Sequence, residues 1–396
     1  MNHLLGAVEQ YVSISARSVS PTERENLVPI PVGLLRDTAN GGVAIGYHRA
    51  AYFVRGIMSD DQKTSADSPF HPGERAIHRR LGVSEKVEQA GRRAIRQFMP
   101  DQHREFFAQL PMIFIGSVDD DGQPWASILS GAVGFMHSPE PTLLRINAMP
   151  AADDPLIKNL RPGAHLGLLG IEPHTRRRNR VNGIVMQLDD TGFLLRVVQS
   201  FGNCPKYIQA RLASFDRAPA VASGVQRSNS LSAQMQQIIS QADTYYIASA
   251  NMDHTLPSHQ IGVDISHRGG KSGFVRVNDA HNLSAPDFVG NFLFNTLGNL
   301  QLYPAAGLLF FDLARGHLLH LAVRADVLWD DARTPNFTGA QRIWRYQVRH
   351  ALLLEDALSV RFGEVELSPF VLASGSWQEY EARIAASDQA PGPDSP

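Results

Sequence analysis

The sequence predicts a mainly β protein in which two β-barrels with flanking helices follow one another along the chain. Three observations lead there. Apolar stretches of strand length alternate with turn signals such as Asp119-Asp120-Asp121-Gly122 and Asp189-Asp190-Thr191-Gly192. Helical patterns are short and few, too few to supply the crossovers of a doubly wound parallel sheet. One order of elements also occurs twice. Two closed barrels side by side hide their strand edges and leave a cleft between them.

The first half opens with an amphipathic helix expected over Ser84 to Phe98, where Val87, Ala90, Ala94, Ile95 and Phe98 fall at helical spacing and Ser84 can cap the start. A second helix is expected from Gln102 to Leu110 and ends at Pro111. Strands follow at Met112 to Val118, Trp125 to Val133 and Leu143 to Ile146. Asp154-Pro155 starts a short helix to Leu160, with proline at a favoured first-turn position. His165 to Gly170 is a strand, Val181 to Leu188 and Phe193 to Val198 form a hairpin, and Pro205 to Leu212 closes the half as a helix. In the second half, a helix is expected over Leu231 to Ala242 and another over Asn295 to Leu302. The strands there are Thr244 to Ser249, Gln260 to Ile265, Phe274 to Val277, Gly307 to Phe311 and Leu318 to Trp329.

The repeat is visible in residues as well as in order. Phe107 to Ser117 resembles Ile239 to Ser249, and Asn159 to Leu169 resembles Asn299 to Leu309. The expected organisation is therefore an N-terminal extension over 1–69, a first barrel over 70–217, a linker over 218–232, a second barrel over 233–386 and a disordered tail over 387–396. Met58 followed by a polar run reads as an ordinary protein start, so the upstream part is expected to be a poorly ordered extension; a true N-terminal subdomain fits equally well.

Composition narrows the function classes. Hydrophobic residues make up 43% and charged residues 19%, enough apolar surface for packed cores. A formal net charge of -2 argues against a dedicated nucleic-acid or anionic-membrane binder. The single cysteine, Cys204, cannot form an internal disulfide, and a reducing cytoplasm is the expected location. No apolar run reaches the roughly 18 residues of a membrane span. His254, His259 and His267 lack tight metal-ligand spacing, so no metal is expected.

The motifs of the second half resemble the pyridoxamine 5'-phosphate oxidase-like, FMN-binding split barrels. They are Ser266-His267-Arg268-Gly269-Gly270-Lys271-Ser272-Gly273-Phe274-Val275-Arg276-Val277 and Gly290-Asn291-Phe292-Leu293-Phe294-Asn295-Thr296-Leu297-Gly298-Asn299-Leu300, followed by Pro304 to Phe311. The first half resembles the family through Arg180-Val181-Asn182-Gly183 and Phe201 to Ile208. The resemblance covers about Phe70 to Phe370 and implies two tandem split barrels with a non-covalent FMN between them, an intrachain pseudo-dimer. It also implies an oxidoreductase acting on a small organic substrate or oxygen, with NADH or NADPH as electron donor. A non-catalytic flavin sensor and a flavin-free interaction module are the alternatives. The family's Arg-Lys pair at the short helix is Asn295-Thr296 here, and the basic end of its first hairpin strand is Asp264-Ile265. These departures imply a substrate other than pyridoxamine phosphate.

Candidate site residues follow from what a flavin needs. A phosphate dianion calls for amide donors, hydroxyls and cations. Asn291, Asn295, Thr296 and Asn299 surround a short-helix start, and Arg268 and Lys271 flank Gly269-Gly270, which permit close backbone approach. The ring calls for backbone partners and a cation, for which Val275, Arg276 and Val277 are the candidates. From the run Arg176-Arg177-Arg178-Asn179-Arg180, Arg180 is chosen together with Asn182, because both enter the strand. Cys204 is read either as a helix cap beside Lys206 or as a small buried residue.

Overall fold

The computed structural model describes residues 68–202, 204–216 and 222–388; the proposed start at Met58 and nearly all of the N-terminal extension lie outside them. Helix α1 (Pro72–Arg80) begins with a capping box. The His71 side chain accepts from the backbone of Gly73, and the Glu74 carboxylate accepts from the backbone of His71. Helix α2 spans Ser84–Ala94; Ser84 is its first residue, and the flanking Val83 has no side-chain cap. It stops at Ile95 rather than Phe98 because Arg96 exchanges two backbone hydrogen bonds with Ser200. Helix α3 is Asp101–Ala108.

The first sheet comprises β1 (Met112–Val118), β2 (Pro124–Ser130), β3 (Met136–His137), β4 (Leu143–Ile146), β5 (His165–Glu172), β6 (Arg177–Asp189) and β7 (Gly192–Gly202), with helix α4 (Leu156–Asn159) between β4 and β5. Then come β8 (Ala213–Phe215), β9 (Gly224–Ser228) and helix α5 (Ala233–Gln241), capped by Ser232. The second sheet comprises β10 (Thr244–Asn251), β11 (Gly262–Gly269), β12 (Arg276–Val277), β13 (Asn282–Phe288), β14 (Ala305–Asp312), β15 (His317–Leu328) and β16 (Ala340–Glu355), with helix α6 (Asn295–Leu302) before β14. Strand β17 (Val360–Phe362) and helices α7 (Pro369–Leu372) and α8 (Trp377–Asp388) end the described chain.

The two sheets repeat one topology. The first runs β2-β1-β5-β6-β7-β4-β3 and the second β11-β10-β14-β15-β16-β13-β12, which is the same order when β10 to β16 are counted from one. All pairings within them are antiparallel. Even an irregularity recurs: the ladder shifts register between Asn182 and Gly183 on β6 and between Ala322 and Val323 on β15. Each half buries its own core, with Phe107, Leu168 and Leu195 in the first and Tyr245, Phe310 and Trp344 in the second. A third apolar cluster joins them, and at its centre Phe114 of β1 stacks on Tyr246 of β10 at 3.6 Å.

Several expectations are corrected. Residues Pro205 to Leu212 form no helix; tertiary contacts hold them instead, with Gln209 bonded to the backbone of Gly270 and Ser368 and Ala210 paired with Glu366. Cys204, half-buried, therefore caps nothing. Strand β12 is two residues long rather than Phe274 to Val277, because Phe274 and Val275 turn into the second core. Strands β13 and β16 lie outside the sequence expectation. The expected linker contains β9, which lines β16 from Ala351 to Glu355. Helix α8 runs through Asp388, into the segment expected to be disordered. Among the described residues no helix is long and apolar enough to cross a membrane.

The halves pack backbone against backbone at equivalent glycines. A Cβ on Gly167 of β5 would lie 2.3 Å from the Val263 carbonyl oxygen on β11, and one on Gly307 of β14 would lie 2.5 Å from the Pro124 oxygen on β2. Both neighbours are backbone and cannot swing aside. Gly167→Ala and Gly307→Ala should each destabilise the chain by about 1–3 kcal/mol, read as a lower urea midpoint. An unchanged midpoint in both would show that the halves separate freely.

Candidate functional site

The junction of the halves is organised by Asp264 on β11. Its Oδ1 accepts from Arg180 Nη1 at 3.0 Å and Asn182 Nδ2 at 2.8 Å, both on β6 of the other half. Its Oδ2 accepts from Asn299 Nδ2 of α6 at 2.9 Å. Arg180 has a side chain only 3% exposed. It also donates to Asn295 Oδ1 (2.8 Å), the Ile265 carbonyl (2.6 Å) and Ser266 Oγ (2.6 Å). Thr296 Oγ1 bonds Ser266 Oγ at 3.1 Å, and Asn299 Nδ2 bonds Ser249 Oγ at 3.1 Å. So Arg180, Asn182, Asn295, Thr296 and Asn299 do meet, but most of their polar groups are engaged with one another and with their neighbours on β10, β11 and α1. They form the floor of the junction.

Helix α1 lies over this floor. Gly73 and Gly298 allow it to touch α6, since a Cβ on Gly73 would fall 2.1 Å from the Gly298 oxygen. Asn295 Nδ2 donates to Glu74 Oε1 at 2.6 Å. Burial, reinforced by Asp264, holds the Glu74 carboxyl well above the usual carboxylate range. Burial lowers the neighbouring His71 imidazole to about 4, leaving it neutral. His78 Nε2 donates to the carbonyls of Phe292 (3.1 Å) and Leu293 (3.2 Å). That clamp fixes the segment before α6, where Phe292 (φ 64°) and Phe294 (φ 59°) occupy the left-handed region. Such conformations cost about 1–3 kcal/mol each and gather at functional sites.

Beside the floor opens a cleft of about 90 Å³ whose lining includes Arg178, Arg180, His267, Arg268, Asn291, Asn295, Thr296 and Arg342. Arg178 and Arg180 sit two apart on β6 and share a face. Arg268 Nη1 pairs with Asp287 Oδ1 at 2.8 Å, and Arg342 Nε lies 3.5 Å from Asp287 Oδ2. Among the described residues four guanidinia (Arg178, Arg180, Arg268, Arg342) line the cleft against Asp287, with Asp264 below it, so positive charge is in excess. Buried nitrogens remain unused among the described residues: Nε of Arg178, Arg180 and Arg268, and Nε and Nη1 of Arg342. Burial and the nearby Arg180 guanidinium lower Arg178 to about 9, which still leaves it charged at neutral pH. Burial, then Arg178 and Arg268, pushes the His267 imidazole well below its usual range. At the mouth stand Phe288, Phe292 and Phe294, with Tyr207 stacked on Phe288 at 5.3 Å. What the arrangement can do chemically is bind a dianion against an aromatic rim.

The other sequence candidates go elsewhere. Gly269 serves close approach, but to the Tyr207 carbonyl, 2.2 Å from where a Cβ would sit; Gly270 packs on Phe274. Lys271 pairs with Glu379 and Arg276 with Glu381, both on α8, away from the cleft. Val275 is buried in the second core and Val277 packs against it. The Phe274 carbonyl accepts from Trp377 Nε1 at 2.9 Å. Asn291 lines the cleft, and its Oδ1 accepts from the Leu293 backbone at 3.1 Å. Of the unchosen residues, Arg178 carried a signal, since it shares its strand face with Arg180. Arg342 and Glu74 carried none, being brought in by β16 and α1. Among the described residues no group of metal-ligating side chains gathers.

Strand order and junction thus define a duplicated antiparallel barrel protein with a basic cleft between its halves. Residues 99–217 match the family profile of pyridoxamine 5'-phosphate oxidase. The match lies on the first half, whereas the recognised motifs lay mostly on the second. Three solved structures are similar to parts of the chain. A candidate pyridoxamine 5'-phosphate oxidase from Lactobacillus delbrueckii is 13% identical, over 31% of this chain and 94% of its own, with a TM-score of 0.25. An FAD-binding protein from Mesorhizobium loti is 12% identical, over 33% and 96%, with a TM-score of 0.22. An FMN-binding protein from Syntrophomonas wolfei is 10% identical, over 31% and 84%, also at 0.22. Scores this low add nothing to the strand order. No curated protein matches the chain.

Two predictions follow from the floor. Arg180→Met leaves Asp264 buried without its cation and should cost about 3–5 kcal/mol in chemical denaturation, while Arg180→Met with Asp264→Leu should recover most of it; equal losses would show that the pair is not what joins the halves. Glu74 has a raised folded pKa, so its contribution is fully present below about 4.5 and is lost as pH rises through the raised value. Melting temperatures of the native chain should therefore fall with rising pH over that range more than those of Glu74→Gln. Parallel profiles would count against a raised Glu74 pKa.

Proposed function

We propose that the chain is a flavoprotein that holds FMN in the cleft between its halves and acts as an oxidoreductase on a small organic substrate or oxygen. The observation that carries this is the excess of positive charge in the cleft, together with buried guanidinium nitrogens that have no hydrogen-bond partner among the described residues. A phosphate dianion matches both the charge and the donors, and the cleft's 90 Å³ suits a phosphate group. The profile match over residues 99–217, together with the sequence resemblance that implies FMN, supports the same reading.

Arg178 and Arg342 would bind the phosphate, with Arg268 held in place by Asp287. The floor network would keep these cations from collapsing together, because Arg180 is locked onto Asp264 and Ile265. Phe288, Phe292 and Phe294 would give the ring an apolar wall and keep water from it. Bound FMN supplies hydride and single-electron transfer. NADH or NADPH is the proposed electron donor. His267 is neutral and could hold a proton at one ring nitrogen, but nothing assigns it a step.

Among the described residues Arg178 has no carboxylate partner, so Arg178→Leu should leave stability unchanged or raise it while weakening FMN about 10-fold or more. Quenching of flavin fluorescence on titration measures the affinity, and a thermal melt measures the fold. A stable Arg178→Leu chain that binds FMN as tightly as the native one would remove the cleft from consideration.

A further inference from the structure

The duplicated topology allows the cleft to be compared with its counterpart residue by residue. Leu169 stands opposite Phe114 and Arg180, while Leu309 stands opposite Tyr246 and His320. Arg180 and His320 are therefore equivalent. Likewise Ile265 stands opposite Ala248, and Ala126 opposite Gly116, which makes those two equivalent. The floor contacts repeat accordingly. Arg180 Nη2 reaches the Ile265 carbonyl at 2.6 Å, and His320 Nδ1 reaches the Ala126 carbonyl at 2.9 Å. Asn299 bonds Ser249 at 3.1 Å, and Asn159 bonds Ser117 at 2.9 Å.

What does not repeat is the charge. Two residues before His320, where the first cleft has Arg178, stands Leu318. Opposite Ile113, where Tyr245 faces Arg268, stands Leu129. Both leucines are buried. Counting back from Asn159 as from Asn299, Asn295 and Thr296 become Pro155 and Leu156. A second cleft, of about 740 Å³, opens beside Pro155 and Asn159, but neither Leu129 nor Leu318 lines it. Its lining includes Asp119, Asp120, Asp121, Asp153 and Asp154. Of the basic groups around it, Arg227 pairs with Asp153 at 2.9 Å and Arg161 with Asp120 at 2.8 Å, which leaves carboxylates in excess.

We propose that the duplicated fold carries one dianion site per chain, in the Arg178–Arg268–Arg342 cleft: at the equivalent place Leu318 and Leu129 replace Arg178 and Arg268, and the second cleft is lined by carboxylates in excess. The proposal rests on the flavin reading for its ligand but not for its count. A symmetric pair of split barrels offers two equivalent clefts; this chain repeats two floor contacts, while Asp264 and Arg180 have Trp125 and His320 as counterparts and the cations stand at one place only.

Equilibrium dialysis of the full chain, with FMN and separately with inorganic phosphate, tests it. One equivalent per chain is expected for each ligand. Arg178→Leu should weaken both about 10-fold or more, and Lys158→Ala with Arg227→Ala, in the second cleft, should change neither. Saturation at two equivalents, or loss of binding in the second-cleft variant, overturns the proposal. One phosphate without FMN, lost in Arg178→Leu, sustains the single anion site and refutes the flavin reading. Binding of neither ligand overturns both.

Discussion

The ion pair between Arg180 and Asp264 joins one half of the chain to the other, and the architecture around it depends on its being satisfied. A buried charge is tolerated only when it is paired and hydrogen-bonded. Here the guanidinium has Asp264, Asn295, Ile265 and Ser266, and the carboxylate has Arg180, Asn182 and Asn299. These partners come from β6, β11 and α6, so the pair fixes three elements at once. A pair so fully engaged has little left to offer a ligand.

That constraint explains why the cleft lies where it does. The cations next to the floor cannot all find carboxylates, because Asp264 is used below and Asp287 serves both Arg268 and Arg342. Among the described residues Arg178 is left beside them without an acid, and that excess in a partly closed space supports the proposed anion site. The two strained phenylalanines point the same way, since α1 holds them through His78 at the mouth of the same cleft.

Much of the fold was legible in the sequence. Met112 to Val118, Leu143 to Ile146 and Asn295 to Leu302 have the bounds their patterns suggested, because turns, prolines and apolar runs act locally. The repeat of Asn159 to Leu169 and Asn299 to Leu309 falls on equivalent helix-to-strand turns. Failures came where contacts distant in sequence decide. Pro205 to Leu212 has helical composition, yet Gln209 and Ala210 are held by residues near 270 and 366. The Gly269-Gly270 pair did mark close approach, but to Tyr207 and Phe274 rather than to a ligand.

For the site, the sequence by itself determined the duplicated mainly β architecture and which residue types were on hand: Arg178, Arg180 and Arg268, and the Asn295 to Asn299 turn. Strand periodicity and helix starts are properties of neighbouring residues, so they survive in one dimension. Which cation is consumed and which is spare was decided only by tertiary structure. Arg180 and Asn295 became floor because Asp264 and Glu74 reach them, Lys271 and Arg276 were drawn off to α8, and Arg342 arrived from β16. Pairing of charges is set by burial and by distance in space, and neither can be read from spacing along the chain.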